Sequence, residues 1–265
     1  MTACQPCGMA AARGHSLTPA ETARLVKGAV VHAGAAFGQQ PAFAEAGQRL
    51  GLDRWAFYFG ARAGVLGRVG AEVVTAVCGF FAPDLVRPAW DSALAAASPD
   101  DLVAEDVGLC IAYARRQLAR LPGIERLAAL TERVVEAADA SGRPLFAAWR
   151  ALPCPAEDPA ARAGIALLQL REHRGGGHLI AVAAEGLTPL TAILAGPGPA
   201  KAAANGWQPP YQPIPDEAAQ LLAAAARRTD ALAGTPYACL DAADRAELVM
   251  LCQRVSRADT TDRSV

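Results

Sequence analysis

The stretch best suited to chemistry is REHRGGGH, from Arg171 to His178, which holds two of the chain's four histidines. Guanidinium groups bind carboxylate and phosphate oxygens through paired hydrogen bonds, and neutral imidazole accepts protons or ligates metals. In an unbroken helix Arg171, Arg174 and His178 would share one stripe. His173 and His178 would point about 140° apart, so they are not a metal pair of the i, i+4 type.

The three consecutive glycines allow a second interpretation of this stretch. Each glycine costs a helix about 1 kcal/mol relative to alanine, so the helix could end at Gly175–Gly177 and a new one begin at His178. Glycine amides before a helix N-terminus form an anion site, to which Arg171, Arg174 and Gly177 would contribute. The helix dipole would keep His178 neutral. A solvated helix end that binds nothing is the third alternative.

Further candidates lie nearer the start of the chain. His32 stands among apolar residues in LVKGAVVHAGAAF, so it is either a buried core histidine or another functional imidazole. Arg62 and Glu72 either pair with each other, or Arg62 faces a bound anion. His32, His173 and His178 could together bind a transition metal or a haem, although no ligand spacing marks such a site.

The cysteines and charges indicate the class of protein. Seven cysteines are scattered through the chain, and only Cys4 and Cys7, followed by His15, have a spacing that would suit a metal or redox pair. Residues 1–16 and 258–265 are expected to be disordered. Lys and Arg number 25 against 26 Asp and Glu, which gives no basic surplus for nucleic acid or an anionic membrane. Without an export signal or a long apolar run, the chain is expected to be soluble and cytoplasmic.

The elements that would position these residues are helices. A Ser, Thr or Asp followed by proline marks a helix start at Thr18, Ser98, Asp158 and Thr188. Strand signals are scarce, and EVVTAVCGFF is interpreted as a buried helix. The sequence therefore predicts an all-α fold.

Proline-rich stretches divide this helical chain. The stretch Ser141–Pro159 would separate an N-terminal helical domain at 17–145 from a C-terminal one at 146–257. A second stretch, between Gly196 and Glu217, would be irregular for most of its length. Two helical halves are thus expected.

Several segments resemble a known family: HAGAAF, FYFGARAGVLGRVGAEVV with FFAPDLV, LREHRGGGHLIAVAAEGL and RRTDALAGTPYACL. They resemble an actinobacterial group of helix-turn-helix or winged-helix-like proteins, whose most specific motif reads LREHRGDGH. The resemblance implies a pocket that is shared within the family and built from both halves of the chain. The residues that match the family pattern are His32, Arg62, Gly67, Glu72, Arg171, His173, Arg174 and His178.

The chain departs from this family in three places. The YFAPE-like segment of the family reads AFGQQP here. The aspartate of the family motif is Gly176 here. After Trp207 the family continues with a helix-turn-helix and a wing, whereas this chain has a stretch too short and too rich in proline for either. The resemblance therefore implies a winged-helix-related C-terminal part that lacks its wing, and DNA binding is a poor expectation.

The function favoured by these residues is an enzyme of actinobacterial secondary metabolism, such as antibiotic biosynthesis, that binds a small, partly anionic molecule. The alternatives are a non-catalytic ligand-binding or self-resistance protein and, with less support, a DNA-binding regulator or repair protein. Nucleic acid and membrane are not expected partners, and a homodimer is the expected assembly. The catalytic candidates are His178, His173 and His32, and the substrate-binding candidates are Arg62, Glu72, Arg171, Arg174 and Gly177.

Overall fold

The computed structural model describes residues 16–154 and 157–262, with side chains through Ser256. Every regular element in these residues is a helix, so the predicted all-α fold is confirmed. The CQPC segment and most of the predicted disordered ends lie outside the described residues. The last helix is described through Asp262, and the disorder expected at the two ends stays a prediction.

The helices follow one another with short connections. In chain order they are α1 (Pro19–Gly28), α2 (Gly34–Ala36), α3 (Pro41–Arg49), α4 (Arg54–Ala63), α5 (Ala71–Val77), α6 (Pro83–Ala96), α7 (Pro99–Leu118), α8 (Ile124–Ala137), α9 (Pro144–Arg150), α10 (Pro159–Ala184), α11 (Pro189–Ala195), α12 (Pro199–Ala204), α13 (Ala218–Gly234) and α14 (Ala242–Asp262). A π-helical turn (Ala29–Ala33) joins α1 to α2. Single turns of 3-10 helix lie at Phe37–Gln39, Gly64–Leu66 and Thr235–Cys239.

The four predicted helix starts are confirmed. Thr18, Ser98, Asp158 and Thr188 each accept a hydrogen bond from the backbone amide three residues later. At Thr18 the bond is reciprocal, because the Glu21 carboxylate accepts from the Thr18 amide. Such caps satisfy amides that the helix leaves unpaired, each typically at about 1 kcal/mol.

The proline-rich stretches hold more helix than expected. α9 lies inside the first and α12 inside the second, because proline is compatible with the first turn of a helix. Only the part after α12, from Asn205 to Glu217, is irregular for most of its length. EVVTAVCGFF is helical in α5, but Val74 is the one buried residue of that helix and Val73 is exposed, so its prediction as a buried helix is half right.

The long helix α10 is the axis of the fold. It packs against α7, α8, α9 and α13, and its residues contribute to both large hydrophobic clusters. It runs unbroken through Gly175–Gly177, so the predicted break is wrong, and with it the anion site at a second helix N-terminus. Packing on several sides stabilises a helix well beyond its intrinsic propensity. The domain border at residue 145 remains a prediction, although α10 packs closely on helices of the N-terminal half.

Taken one at a time, the helices of the described residues are too short or too polar to cross a bilayer. Among the described residues, only α10 and α11 taken together, across the bend between them, are long and apolar enough to do so.

Candidate functional site

A cleft of about 770 Å³ opens along one face of α10. Arg171, Arg174, Gly175 and His178 form that face, which is the stripe predicted for a continuous helix. The other walls come from the chain between α1 and α3, from α4, from the segment before α6, and from α12 and α13. The volume lies within the range of small-molecule sites, which is about 300–1,000 Å³.

The lining of this cleft is strongly cationic. No carboxylate is among the described residues that line it. Behind the wall Glu172 and Asp230 supply counter-charge, so six cations against two carboxylates leave four positive charges unbalanced. The lining cations are Lys27, Arg54, Arg62, Arg171, Arg174 and Lys201.

The rim and the floor of the cleft differ in how their cations are held. Lys27, Arg54 and Lys201 are exposed and form no ion pair with a described residue. Arg174, in the floor, pairs through Nη2 with Asp230 Oδ1 at 2.6 Å. The rim cations are therefore the ones free to meet an incoming anion.

Glu172 fixes two further floor cations. Arg62 donates from Nε to Glu172 Oε1 at 3.0 Å and from Nη2 to Oε2 at 2.8 Å, and Arg171 donates from Nη1 to Oε1. The Glu172 side chain is only 1% exposed. Burial acts to raise its pKa, but the Arg62 and Arg171 guanidinium groups outweigh it and hold that pKa below the usual value.

Two predicted site residues lie outside the cleft. The expected pairing of Arg62 with Glu72 is wrong, because Glu72 pairs at the surface with Arg87 (Oε1 to Nε, 2.6 Å). Gly177 is buried and its backbone lies against Arg143 and Leu232. Neither Glu72 nor Gly177 lines this cleft.

His178 is a neutral imidazole with one nitrogen left free. Its ring stacks on Phe80, with centroids 5.2 Å apart. Thr229 Oγ1 donates its single hydrogen to the Ala225 carbonyl (2.7 Å), so at the 2.9 Å contact it must accept from His178 Nδ1–H. Burial, with Arg174 and Lys27 nearby, lowers the pKa of His178, and no described residue hydrogen-bonds its Nε2. That nitrogen is a proton acceptor.

The other two candidate histidines do not join His178. His173 is 2% exposed and meets the Phe146 ring edge-on at 4.9 Å; burial lowers its pKa to about 4, and its Nε2 has no partner. His32 is exposed on the π-helical turn and does not line the cleft. His32 is therefore not a buried core histidine, its functional role stays a prediction, and it does not form one metal or haem site with His173 and His178. Among the described residues no cluster of three or more His, Cys, Asp and Glu side chains has a metal-site geometry.

Sequence reasoning missed several residues that shape the cleft. Glu172 lies inside REHRGGGH, and its two arginine neighbours in the motif were the available signal. Lys27, Arg54 and Lys201 carry no signal, because an isolated basic residue usually faces solvent. Thr229 reaches the cleft only because α13 packs on α10, and the sequence does not reveal this contact between helices.

The comparisons with known proteins agree with the helical fold. Residues 23–204 match a family described as a helix-turn-helix family, which is more than half of the 265 residues. The match includes α10 and the cationic rim but ends before Thr229 and Asp230. No curated protein matches the chain, and no solved structure does. The chain belongs to the helix-turn-helix family.

Proposed function

We propose that this protein binds a small anionic molecule in the cleft beside α10 and that His178 accepts a proton from it. One observation carries the proposal: the lining holds six cations and, in the described residues, no carboxylate. Unbalanced positive charge in a concave site attracts and orients an anion. Phosphate and carboxylate groups match the planar donor pattern of its arginines.

The aromatic wall supports a ligand with a planar or apolar body. Trp55, Tyr58 and Phe81 form a cluster on that wall, with the Phe81 centroid 5.4 Å from that of Trp55 and 5.6 Å from that of Tyr58. These rings are half-buried, so each offers a surface on which a ring can stack. Phe80, stacked on His178, extends this surface to the imidazole.

The chemistry we infer is general base catalysis. A ligand O–H, N–H or C–H bond would break with its proton passing to His178 Nε2, which leaves an imidazolium that still donates from Nδ1 to Thr229. The electron pair would stay on the ligand, where Arg171 and Arg174 would stabilise the new negative charge. This is an acid–base enzyme that uses the chain's own side chains.

The biological setting is inferred from sequence. The resemblance to an actinobacterial group favours secondary metabolism, such as antibiotic biosynthesis. A self-resistance or other non-catalytic binding protein would use the same cleft without the proton transfer. His178→Gln separates the two, because it would end turnover in the enzyme and leave the ligand of a binding protein largely in place.

Duplex DNA is a second candidate, favoured by the family description. The described residues contain no strand that could form a wing, and the chain's net charge is −1. Sequence-specific duplex binding at physiological salt, measured by fluorescence anisotropy, would support this candidate over the small anion.

The proposal is tested by calorimetric titration with 1-naphthyl phosphate, an anion with an aromatic body, and with neutral 1-naphthol. We expect the phosphate to bind and the double variant Arg54→Gln/Lys201→Gln to weaken binding roughly tenfold, at about 0.5–1 kcal/mol per exposed charge. The matched control is Arg68→Gln/Arg120→Gln, which removes two exposed cations away from the cleft. Equal affinity in both double variants, or equal binding of 1-naphthol, would contradict the proposal.

A further inference from the structure

A second cavity, of about 250 Å³, lies on another face of α10. Arg62 lines both this cavity and the cleft, and its ion-pair partner Glu172 lines this cavity. Most of its wall is hydrocarbon, and none of its apolar residues lines the cleft. These residues are Ala76, Val77, Pro144, Leu145, Phe146, Leu179 and Ile180.

Arg143 is the cation of this cavity that lacks a counter-ion. Its residue is 7% exposed, and no described carboxylate forms an ion pair with it. Nη1 donates to the carbonyls of Asp139 at 3.3 Å and Ser141 at 3.2 Å, whereas Nε is buried with no partner. A buried guanidinium N–H without an acceptor is costly, which distinguishes Arg143 from the paired Arg62 beside it.

The backbone of α10 is shaped to admit this arginine. A Cβ atom at Gly176 would lie 3.0 Å from Arg143 Cγ, closer than side chains normally pack. The glycine therefore lets the guanidinium stem lie flat on the helix at the cavity wall. Burial lowers the pKa of Arg143 and outweighs the Asp139 carboxylate, which acts to raise it without forming an ion pair.

We propose that this cavity binds a small monocarboxylate with an apolar or aromatic body, the carboxylate pairing with the Arg143 guanidinium group at the cavity wall. An engineered apolar cavity of about 150 Å³ already holds benzene, so this one has room for a ring and a carboxylate. It is too small for a nucleotide. Since Arg62 is already paired with Glu172, Arg143 is the one lining cation without an ion-pair partner among the described residues, which favours a monoanion.

The probe is phenylacetate, compared with phenylacetamide, which has the same shape and no charge. At about 10 mM, with a dissociation constant near 1 mM, phenylacetate should raise Tm by about 3 °C, and phenylacetamide should not. Arg143→Gln should abolish the shift. Ile180→Trp, which fills the cavity from an exposed position, should abolish it as well and remains informative where the Arg143 variant fails to fold.

This site is independent of the proposed function of the cleft. The cleft variant Arg54→Gln/Lys201→Gln should keep the phenylacetate shift while it loses affinity for 1-naphthyl phosphate. A phenylacetate shift that survives both Arg143→Gln and Ile180→Trp, or that disappears in the cleft variant, would overturn the assignment. So would the absence of any shift with phenylacetate, benzoate and isovalerate alike.

Discussion

The two histidines of α10 lie five residues apart in completely different surroundings. His178 faces the cationic cleft, with Nδ1 bonded to Thr229 and Nε2 free. His173 lies in the core against Phe146, with its Nε2 buried and unpartnered. The angular position of a residue around the helix axis, and not its proximity in sequence, therefore decides which residues of REHRGGGH share a site.

The same rule explains the other residues of the motif. Arg171 and Arg174 share the cleft face with His178, Glu172 and Gly176 line the second cavity, and His173 faces the core. One polar stretch thus serves three surfaces.

Removing the charge of Glu172 should be the most damaging change. Glu172→Gln would leave Arg62 and Arg171 side by side without their shared counter-ion, so we expect a loss of about 3–5 kcal/mol in the free energy of unfolding, measured by urea denaturation. The matched control is Glu72→Gln, which removes an exposed carboxylate from a surface pair with Arg87 and should change little. Similar losses of unfolding free energy in the two variants would show that the ion pairs of Glu172 with Arg62 and Arg171 do not stabilise the fold.

Asp106, in α7, lies in the electrostatic field of the same three residues, so the pH dependence of protein stability tests their arrangement. Burial, with the Glu172 charge adding to it and Arg171 and Arg62 opposing it, raises the pKa of Asp106 to about 7. The unfolded chain gives up this proton near its ordinary value, so the group lowers stability as pH rises from about 4 to 7. Asp106→Asn should be more stable than the parent at pH 8, by on the order of a few kcal/mol, with a smaller gain at pH 5. A gain that does not depend on pH would show that Asp106 does not titrate in this window.

The core position of His173 predicts an acid sensitivity of opposite direction. Its pKa of about 4 in the folded protein lies below its ordinary value of 6.5, so the unfolded chain binds more protons between these values. Stability should fall as pH drops from 6.5 to 4, and His173→Gln should reduce that fall by on the order of 3 kcal/mol. Thermal unfolding of both proteins across this range is the measurement. Equal slopes would mean that His173 is accessible to solvent.

The glycines of the motif should give the smallest effects. A Cβ at Gly175 would meet nothing within 4 Å, whereas one at Gly176 would press on Arg143. Gly175→Ala should therefore stabilise the protein by about 1 kcal/mol. Gly176→Ala is the matched substitution and should gain less or lose stability, as compared by chemical denaturation. Equal gains would show that Arg143 does not lie on α10 as described.

Much of the fold could be predicted because its signals are local. The caps at Thr18, Ser98, Asp158 and Thr188 depend on residues three positions away, and all four are present. The angular separation of His173 and His178 was predictable for the same reason, given a continuous helix. The break at the glycines was wrong because packing from four other helices, which no local pattern reveals, outweighs the weak propensity of glycine.

The candidate site was predictable only in part. The stripe of Arg171, Arg174 and His178 follows from helix geometry, but the partner of Arg62 is 110 positions away in sequence. Charge alone cannot select Glu172 over Glu72 as the partner of Arg62, because the choice depends on how α4 meets α10. The rim cations Lys27, Arg54 and Lys201 lie far apart in sequence, so only the packing of the helices brings them to one cleft.

Binding of an anion beside His178 in the cleft can be tested directly by a long-range ¹H–¹⁵N spectrum of the histidine rings at neutral pH during titration with 1-naphthyl phosphate. We expect His178 to be neutral with its proton on Nδ1, and its Nε2 resonance to move on titration. The His173 and His32 resonances should stay in place. Movement of His173 or His32 with His178 unchanged would contradict a cleft site for the anion beside α10.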